Sequence, residues 1–168
     1  VLPVILDPGK NAVGLAGAGE GLARRAAMLA AAGVEPVQIA AQAGKTELQG
    51  LSILFVAGLS RPRSARLAAR ARSARVLVNV EDEPSLCDFH VPAAIRRGDL
   101  LVTVSTAGKA PGLAKLVRQW IERRLGFEWA ERTAALASAR ASWRRSGVTP
   151  AGVSQRTASL VEQRGWLP

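Results

Sequence analysis

Leu51-Ser52-Ile53-Leu54-Phe55-Val56-Ala57 is apolar at nearly every position, and Val76-Leu77-Val78-Asn79-Val80 repeats the pattern one segment later. A strand with one wet face alternates, whereas a strand apolar on both faces is covered on both, as in a parallel sheet between helices. The segment between the two, from Arg63 to Arg72, has helical spacing in Ala65, Leu67, Ala68, Ala69 and Ala71. Toward the amino terminus, Val37 to Ala41 reads as another strand. A run from Asn11 to Ala16 enters Gly17-Ala18-Gly19-Glu20-Gly21, then a helix carrying Leu22, Ala26, Leu29 and Ala30 that Gly33 stops. Toward the carboxyl terminus, Leu100-Leu101-Val102-Thr103-Val104 reads as a fifth strand. The expected fold is therefore α/β, a doubly wound parallel sheet. Ligands of such sheets bind beyond the carboxyl ends of the strands, here residues 17–21, 41–42, 58–60, 81–83 and 105–109.

After Pro111 the pattern becomes helical only. Leu113, Leu116, Val117, Trp120, Ile121 and Leu125 share one helical face, and residues 127–145 and 151–164 also read as helices. Two regions are expected, 1–110 and 111–168. The charge is divided the same way. Of the formal +10, residues 1–60 contribute nothing, residues 61–108 contribute +3 and residues 109–168 contribute +7. Nineteen of the 23 basic residues are arginines, whose planar fork of donors suits carboxylates and phosphates. An anionic partner, or a solvated basic face, follows from that balance. One cysteine, Cys87, excludes an intramolecular disulfide framework. The start shows no basic region and cleavage site of a signal peptide, and no apolar run is long enough to span a membrane, so a cytoplasmic protein is expected.

Three segments at expected strand ends carry candidate chemistry. In a dinucleotide-binding turn the first glycine makes the bend, the second admits a pyrophosphate to the backbone, and the third position is small so that helix and strand pack closely. Gly17-x-Gly19-x-x-Leu22 has the context but not the small third residue, and no acid closes the second strand, where Ala40-Ala41-Gln42 stands. A plain strand-to-helix turn is the other reading. Glu81, Asp82, Glu83 and Asp88 cluster after the fourth strand, as a general base or metal ligand would, or as an acidic loop before a short helix. Ser105-Thr106-Ala107-Gly108-Lys109 offers hydroxyls and a cation ahead of a helix, suited to an anion or simply capping that helix. His90, the only histidine, reads as structural and Cys87 as a small core residue. The four tryptophans read as core or interface anchors.

Taken together these segments resemble the siroheme synthase amino-terminal family, precorrin-2 dehydrogenase/sirohydrochlorin ferrochelatase. Leu2-Pro3-Val4-Ile5-Leu6-Asp7 with Gly9-Lys10 is similar to the family's opening. Gly17-Ala18-Gly19 leading to Arg24-Arg25 is similar to its glycine loop and basic pair. Val78-Asn79-Val80-Glu81-Asp82-Glu83-Pro84-Ser85-Leu86-Cys87-Asp88-Phe89 is similar to its most characteristic segment, and Ser105 to Ala114 to its Ser-Thr turn. The similarity covers residues 1–125.

The resemblance implies a Rossmann-like NAD-binding domain followed by a helical dimerisation and substrate-binding region. The implied reaction is oxidation of precorrin-2 to sirohydrochlorin with NAD, with ferrous iron inserted by some members to give siroheme. The family's catalytic aspartate falls on Asp82. Its NAD contacts fall on Gly17, Gly19, Glu20, Gly21, Ala41 and Gln42. Its tetrapyrrole site falls near Ser105, Thr106 and Lys109. The partners implied are an anionic tetrapyrrole and a second copy of the chain, without membrane and without a resident metal. Leu22, Ala41-Gln42 and Gly58-Leu59-Ser60-Arg61 depart from the family pattern, all in the nucleotide site, and predict weak NAD binding. Two rivals stand beside this reading: a tetrapyrrole-binding ferrochelatase or carrier with a degenerate NAD site, and a basic nucleic-acid-binding protein.

Overall fold

The structure is a computed structural model and describes residues 1–167. Two compact units divide the chain, Val1–Val91 and Pro92–Pro168.

The first unit is α/β. Strands β1 (Val13–Gly17), β2 (Val37–Ile39), β3 (Ile53–Ala57) and β4 (Leu77–Val80) alternate with helices α1 (Gly19–Ala31), α2 (Lys45–Leu48) and α3 (Arg61–Ser73). All pairings are parallel, in the order β2-β1-β3-β4. The central strands are sealed on both faces, as their unbroken apolar sequence requires. On one face Leu54, Val56, Val78 and Val80 meet Leu67, Ala68 and Ala71 of α3 and Leu48 of α2. On the other, Leu15, Ile53 and Phe55 meet Leu29 of α1. The connection from β1 runs outward to β2 and then back across to β3. That reversal opens a crevice between the carboxyl ends of β1 and β3, the topological switch point where such sheets take ligands.

The second unit differs from expectation. Leu100–Val104 is a strand, β6, but it does not join the parallel sheet. It pairs antiparallel with β5 (Ala93–Arg97), an element the apolar pattern did not reveal. The link between them is two residues, Gly98-Asp99, with Gly98 at φ 56°. Such a short link joins only antiparallel neighbours, and a parallel addition needs a crossover of a dozen or more residues. The division of the chain accordingly precedes β5 rather than following residue 110, and residues 105–109 lie at the end of a hairpin strand instead of a parallel one.

Helices α4 (Pro111–Glu122), α5 (Glu128–Arg145) and α6 (Pro150–Gln163) follow the hairpin. Arg97 ties β5 to the turn between α4 and α5. Its Nε donates to the Leu125 carbonyl at 2.9 Å, and its guanidinium lies over the Phe127 ring. Beyond Ala114 on α4, Ile95 on β5 and Val153 on α6, little of this unit is fully buried. Among the described residues, no helix is long and apolar enough to cross a membrane.

Leu54 is fully buried in the first unit's larger core cluster. Leu54→Ala should destabilise that unit by about 3 kcal/mol, the middle of the range for deleting a core leucine. Urea unfolding followed by circular dichroism measures the change.

Candidate functional site

The crevice is built from backbone. Gly17 ends β1 at φ 151°, and a Cβ there would lie 1.9 Å from the Ala57 carbonyl oxygen. Gly58, directly after β3, has φ 67°, and its Cβ would lie 2.0 Å from the Ala18 carbonyl oxygen. The Ala18 N–H donates to the Ala57 carbonyl at 3.2 Å. The two strand ends therefore approach as closely as main chain allows. Gly19, at φ 63°, has open space where its Cβ would be. The 13-residue helix α1 starts here with no side-chain cap, and among the described residues the N–H groups of Gly19, Glu20 and Gly21 have no hydrogen-bond partner. Uncapped donors at a helix start, beside a glycine with free space, fit a dinucleotide pyrophosphate.

The third glycine position moves by one residue. Gly21, not Leu22, faces the strand end: its Cβ would meet the Gly58 nitrogen at 3.0 Å and Glu81 Oε2 at 2.5 Å. Leu22 instead packs on the cluster of Val13, Leu15, Leu29, Ile53 and Phe55. Its branched side chain is core material and does not hold α1 away from the sheet. The steric departure noted in the sequence thus disappears, while the absence of an acid after β2 remains. Ala41 there is half-buried and Gln42 exposed.

The acidic segment after β4 resolves into separate jobs. Glu81 is bracketed by Arg24 at 3.5 Å and Arg25 at 4.0 Å. Glu83 pairs with Arg61 at 3.1 Å. Asp88 accepts from Arg72 at 2.8 Å and from the Val78 N–H at 2.9 Å, while its own N–H donates to the Val78 carbonyl. Cys87 Sγ accepts from the Val80 N–H at 3.2 Å, and the Asn79 amide donates to the Phe89 carbonyl. Phe89 stands edge-on to Phe55 at 5.4 Å. Residues 87–89 thus fold back along β4 and satisfy its outer edge. Among the described residues, Asp82 alone of the four acids makes no ion pair or side-chain hydrogen bond. It is exposed and sits in the left-handed region at φ 59°, which aspartate tolerates better than most residues. Strain of this kind concentrates at functional positions.

Ser105, Thr106 and Lys109 belong to the second unit, in the turn between β6 and α4. Ser105 Oγ accepts the Ala107 N–H and Thr106 Oγ1 the Ala110 N–H, each at 3.1 Å. Ala107 and Gly108 are both left-handed, at φ 54° and 78°. A hydroxyl that accepts from the backbone keeps its own O–H to donate, and Lys109 is exposed beside them. Gly17, Gly19, Glu20, Gly21 and Asp82 thus gather at the sheet's carboxyl edge with the Ala41-Gln42 turn. Glu20 points into solvent there and pairs only with Arg24 at 3.6 Å. His90 is exposed, and among the described residues no cluster of three or more His, Cys, Asp or Glu could hold a metal. Sequence reasoning put Gly58 in the nucleotide site only as a departure from the family pattern and missed its contact with the Ala18 carbonyl. A glycine directly after an apolar central strand was the available signal.

The family model described as "Putative NAD(P)-binding" matches residues 4–93, and that for "Sirohaem biosynthesis protein central" matches residues 97–124. The chain belongs to the siroheme synthase amino-terminal family. It is similar to the siroheme synthase of Photorhabdus laumondii, 31% identical over 98% of this chain and 37% of that protein. It is also similar to that of Ectopseudomonas mendocina, 42% identical over 46% of this chain and 17% of that protein. The chain therefore spans well under half the length of these relatives. Among solved structures, "SirC, precorrin-2 dehydrogenase" shares the fold with a TM-score of 0.76 and 18% identity, over 96% of this chain and 89% of that one. The first unit is thus matched by an NAD(P)-binding family model, and its strand-end crevice is the candidate place for that nucleotide.

Gly58→Ala should disrupt the crevice. The added methyl meets main chain at 2.0 Å at a φ that disfavours any side chain. The expected loss is roughly 2–4 kcal/mol, read as a lowered melting temperature together with loss of dinucleotide binding by calorimetry.

Proposed function

We propose that this chain oxidises precorrin-2 to sirohydrochlorin in siroheme biosynthesis, with NAD as hydride acceptor. The observation that carries the reading is Asp82. It is an unpaired carboxylate on a left-handed turn, at the edge of the sheet whose switch point carries the family's nucleotide loop. When bound, a nicotinamide dinucleotide would supply the hydride acceptor for oxidation of the partly reduced macrocycle. The reaction also releases a proton, and in this reading Asp82 accepts it from the macrocycle, supported by its being the acid of the segment without an ion pair among the described residues. Glu81 and Glu83 are held by arginines and Asp88 by Arg72 and β4, so none of them competes for that role.

The uncapped start of α1 and the glycines at 17 and 19 would hold the pyrophosphate. Ser105, Thr106 and Lys109 supply donors to the substrate's carboxylates. The net +7 of residues 109–168 draws a polycarboxylate macrocycle toward the protein. Ferrous iron enters the reading as a second substrate, inserted after oxidation. The place of action is the cytoplasm, in keeping with a single unpaired thiol.

The chain acts as a homodimer through α4. Leu113, Leu116 and Trp120 are each more than half exposed, with Val117 beside them. Such a stripe is the kind of surface a symmetric pair covers.

Anaerobic incubation with precorrin-2 and NAD, read by absorbance of NADH and sirohydrochlorin, tests the reaction. Asp82→Asn, which keeps a residue tolerant of the left-handed φ, should lower the rate by roughly 10²–10⁴-fold, the range for losing a general base, with an unchanged melting curve. A variant at the unmodified rate removes Asp82 from the chemistry. Light scattering should give about twice the 17.6 kDa chain mass, and Trp120→Glu should shift it to monomer. A monomer in the unmodified protein at micromolar concentration ends the interface reading.

A further inference from the structure

We infer that the adenosine end of the crevice accepts a 2′-phosphorylated ribose, so that NADP binds at least as well as NAD. This rests on the reading that the glycine loop holds a dinucleotide and concerns the opposite end of that ligand. An NAD-selective site places a carboxylate after the second strand to accept the ribose 2′-hydroxyl, and that carboxylate also repels a 2′-phosphate. Residues 36–46 contain no acid. Glu47, the next one along, turns its carboxylate onto the Gly44 N–H at 2.7 Å and serves its own helix. The exposed side chain at the turn is Gln42, a neutral amide.

Arginines supply the opposite preference. Arg70 of α3 reaches the turn itself, donating from Nη1 to the Gln42 carbonyl at 3.0 Å and the Ala43 carbonyl at 3.3 Å. Arg63, Arg66 and Arg70 are spaced i, i+3, i+7 along α3 and so share one face. The contact of Arg70 places that face toward the β2 turn. Arg61 and Arg72 lie on the other side of the helix, bound to Glu83 and Asp88. Arg63 and Arg66 are exposed and, among the described residues, form no ion pair. Helix α3 begins directly after Gly58-Leu59-Ser60, at the switch point, so this basic face starts beside the crevice. Lys45 follows the turn and adds a further cation. A phosphate dianion at the ribose 2′ position meets fork donors here and no carboxylate.

Calorimetric titration of the full chain with NAD, NADP, 5′-AMP and 2′,5′-ADP tests the inference. The last two differ only in the 2′-phosphate. NADP should bind within about threefold of NAD or tighter, and 2′,5′-ADP should bind tighter than 5′-AMP. Gln42→Glu should shift the NADP-to-NAD ratio toward NAD by about tenfold, the scale of one charge-assisted contact. The double variant Arg63→Ala/Arg66→Ala should weaken NADP and 2′,5′-ADP while leaving NAD and 5′-AMP unchanged. Binding of NAD with NADP more than about tenfold weaker overturns the inference and leaves the cofactor reading intact. Equal weakening of NAD and NADP in the double variant also overturns it, since the arginines would then act on the dinucleotide as a whole. Failure of both dinucleotides to bind overturns the cofactor reading and this inference together.

Discussion

The first unit depends on one close approach. At the carboxyl ends of β1 and β3 the main chains at Gly17 and Gly58 lie within a distance that leaves no room for a Cβ on either. The strands must diverge there, because the chain turns into α1 from one and toward α3 from the other. Only glycine permits both the contact and the φ values it demands. Ala18, the residue between Gly17 and Gly19, offers no side-chain cap to the start of α1 beside that contact. Fold and candidate anion site therefore share one feature: the reversal of strand order creates the crevice, and the glycines let main chain approach main chain at its base.

A second arrangement explains the acidic segment. Sheet edges with unpaired main-chain groups invite pairing with other chains. Strand β4 is an edge, and the residues that follow it return to close it. Asp88 takes both polar groups of Val78, and Cys87 takes the Val80 N–H. The return requires a sharp turn, and Asp82 occupies its left-handed position. Most of the motif is thus architecture, and its one uncommitted side chain is the carboxylate at the tip. Charge follows the same economy: Arg24 and Arg25 hold Glu81 beside the start of α1, so that carboxylate carries two cations with it.

Much of the site was legible in residues. The glycine loop, the apolar central strands and the acidic segment each have a local signature, because each is set by backbone geometry or burial over a few positions. The role of Gly21 was not legible. Whether position 21 or 22 faces the strand depends on the rotation of α1 about its axis, and that is set by Leu22 and Leu29 finding the cluster around Phe55. The contact of Gly58 was hidden for a related reason: its partner, the Ala18 carbonyl, is distant in sequence.

The sequence by itself determined a parallel α/β unit, a helical region after it, the basic character of the last third and a glycine-rich turn after the first strand. These follow from burial, periodicity and composition, which act along the chain. Tertiary structure alone decided that Leu100–Val104 leaves the sheet. An apolar strand has the same pattern whether it pairs parallel or antiparallel, and the choice lay in Gly98-Asp99, a link too short for any crossover. It also decided which acid is free. Glu81, Asp82, Glu83 and Asp88 are chemically near-equivalent in sequence, and only the arginines brought to them by α1 and α3 separate the three that are bound from Asp82.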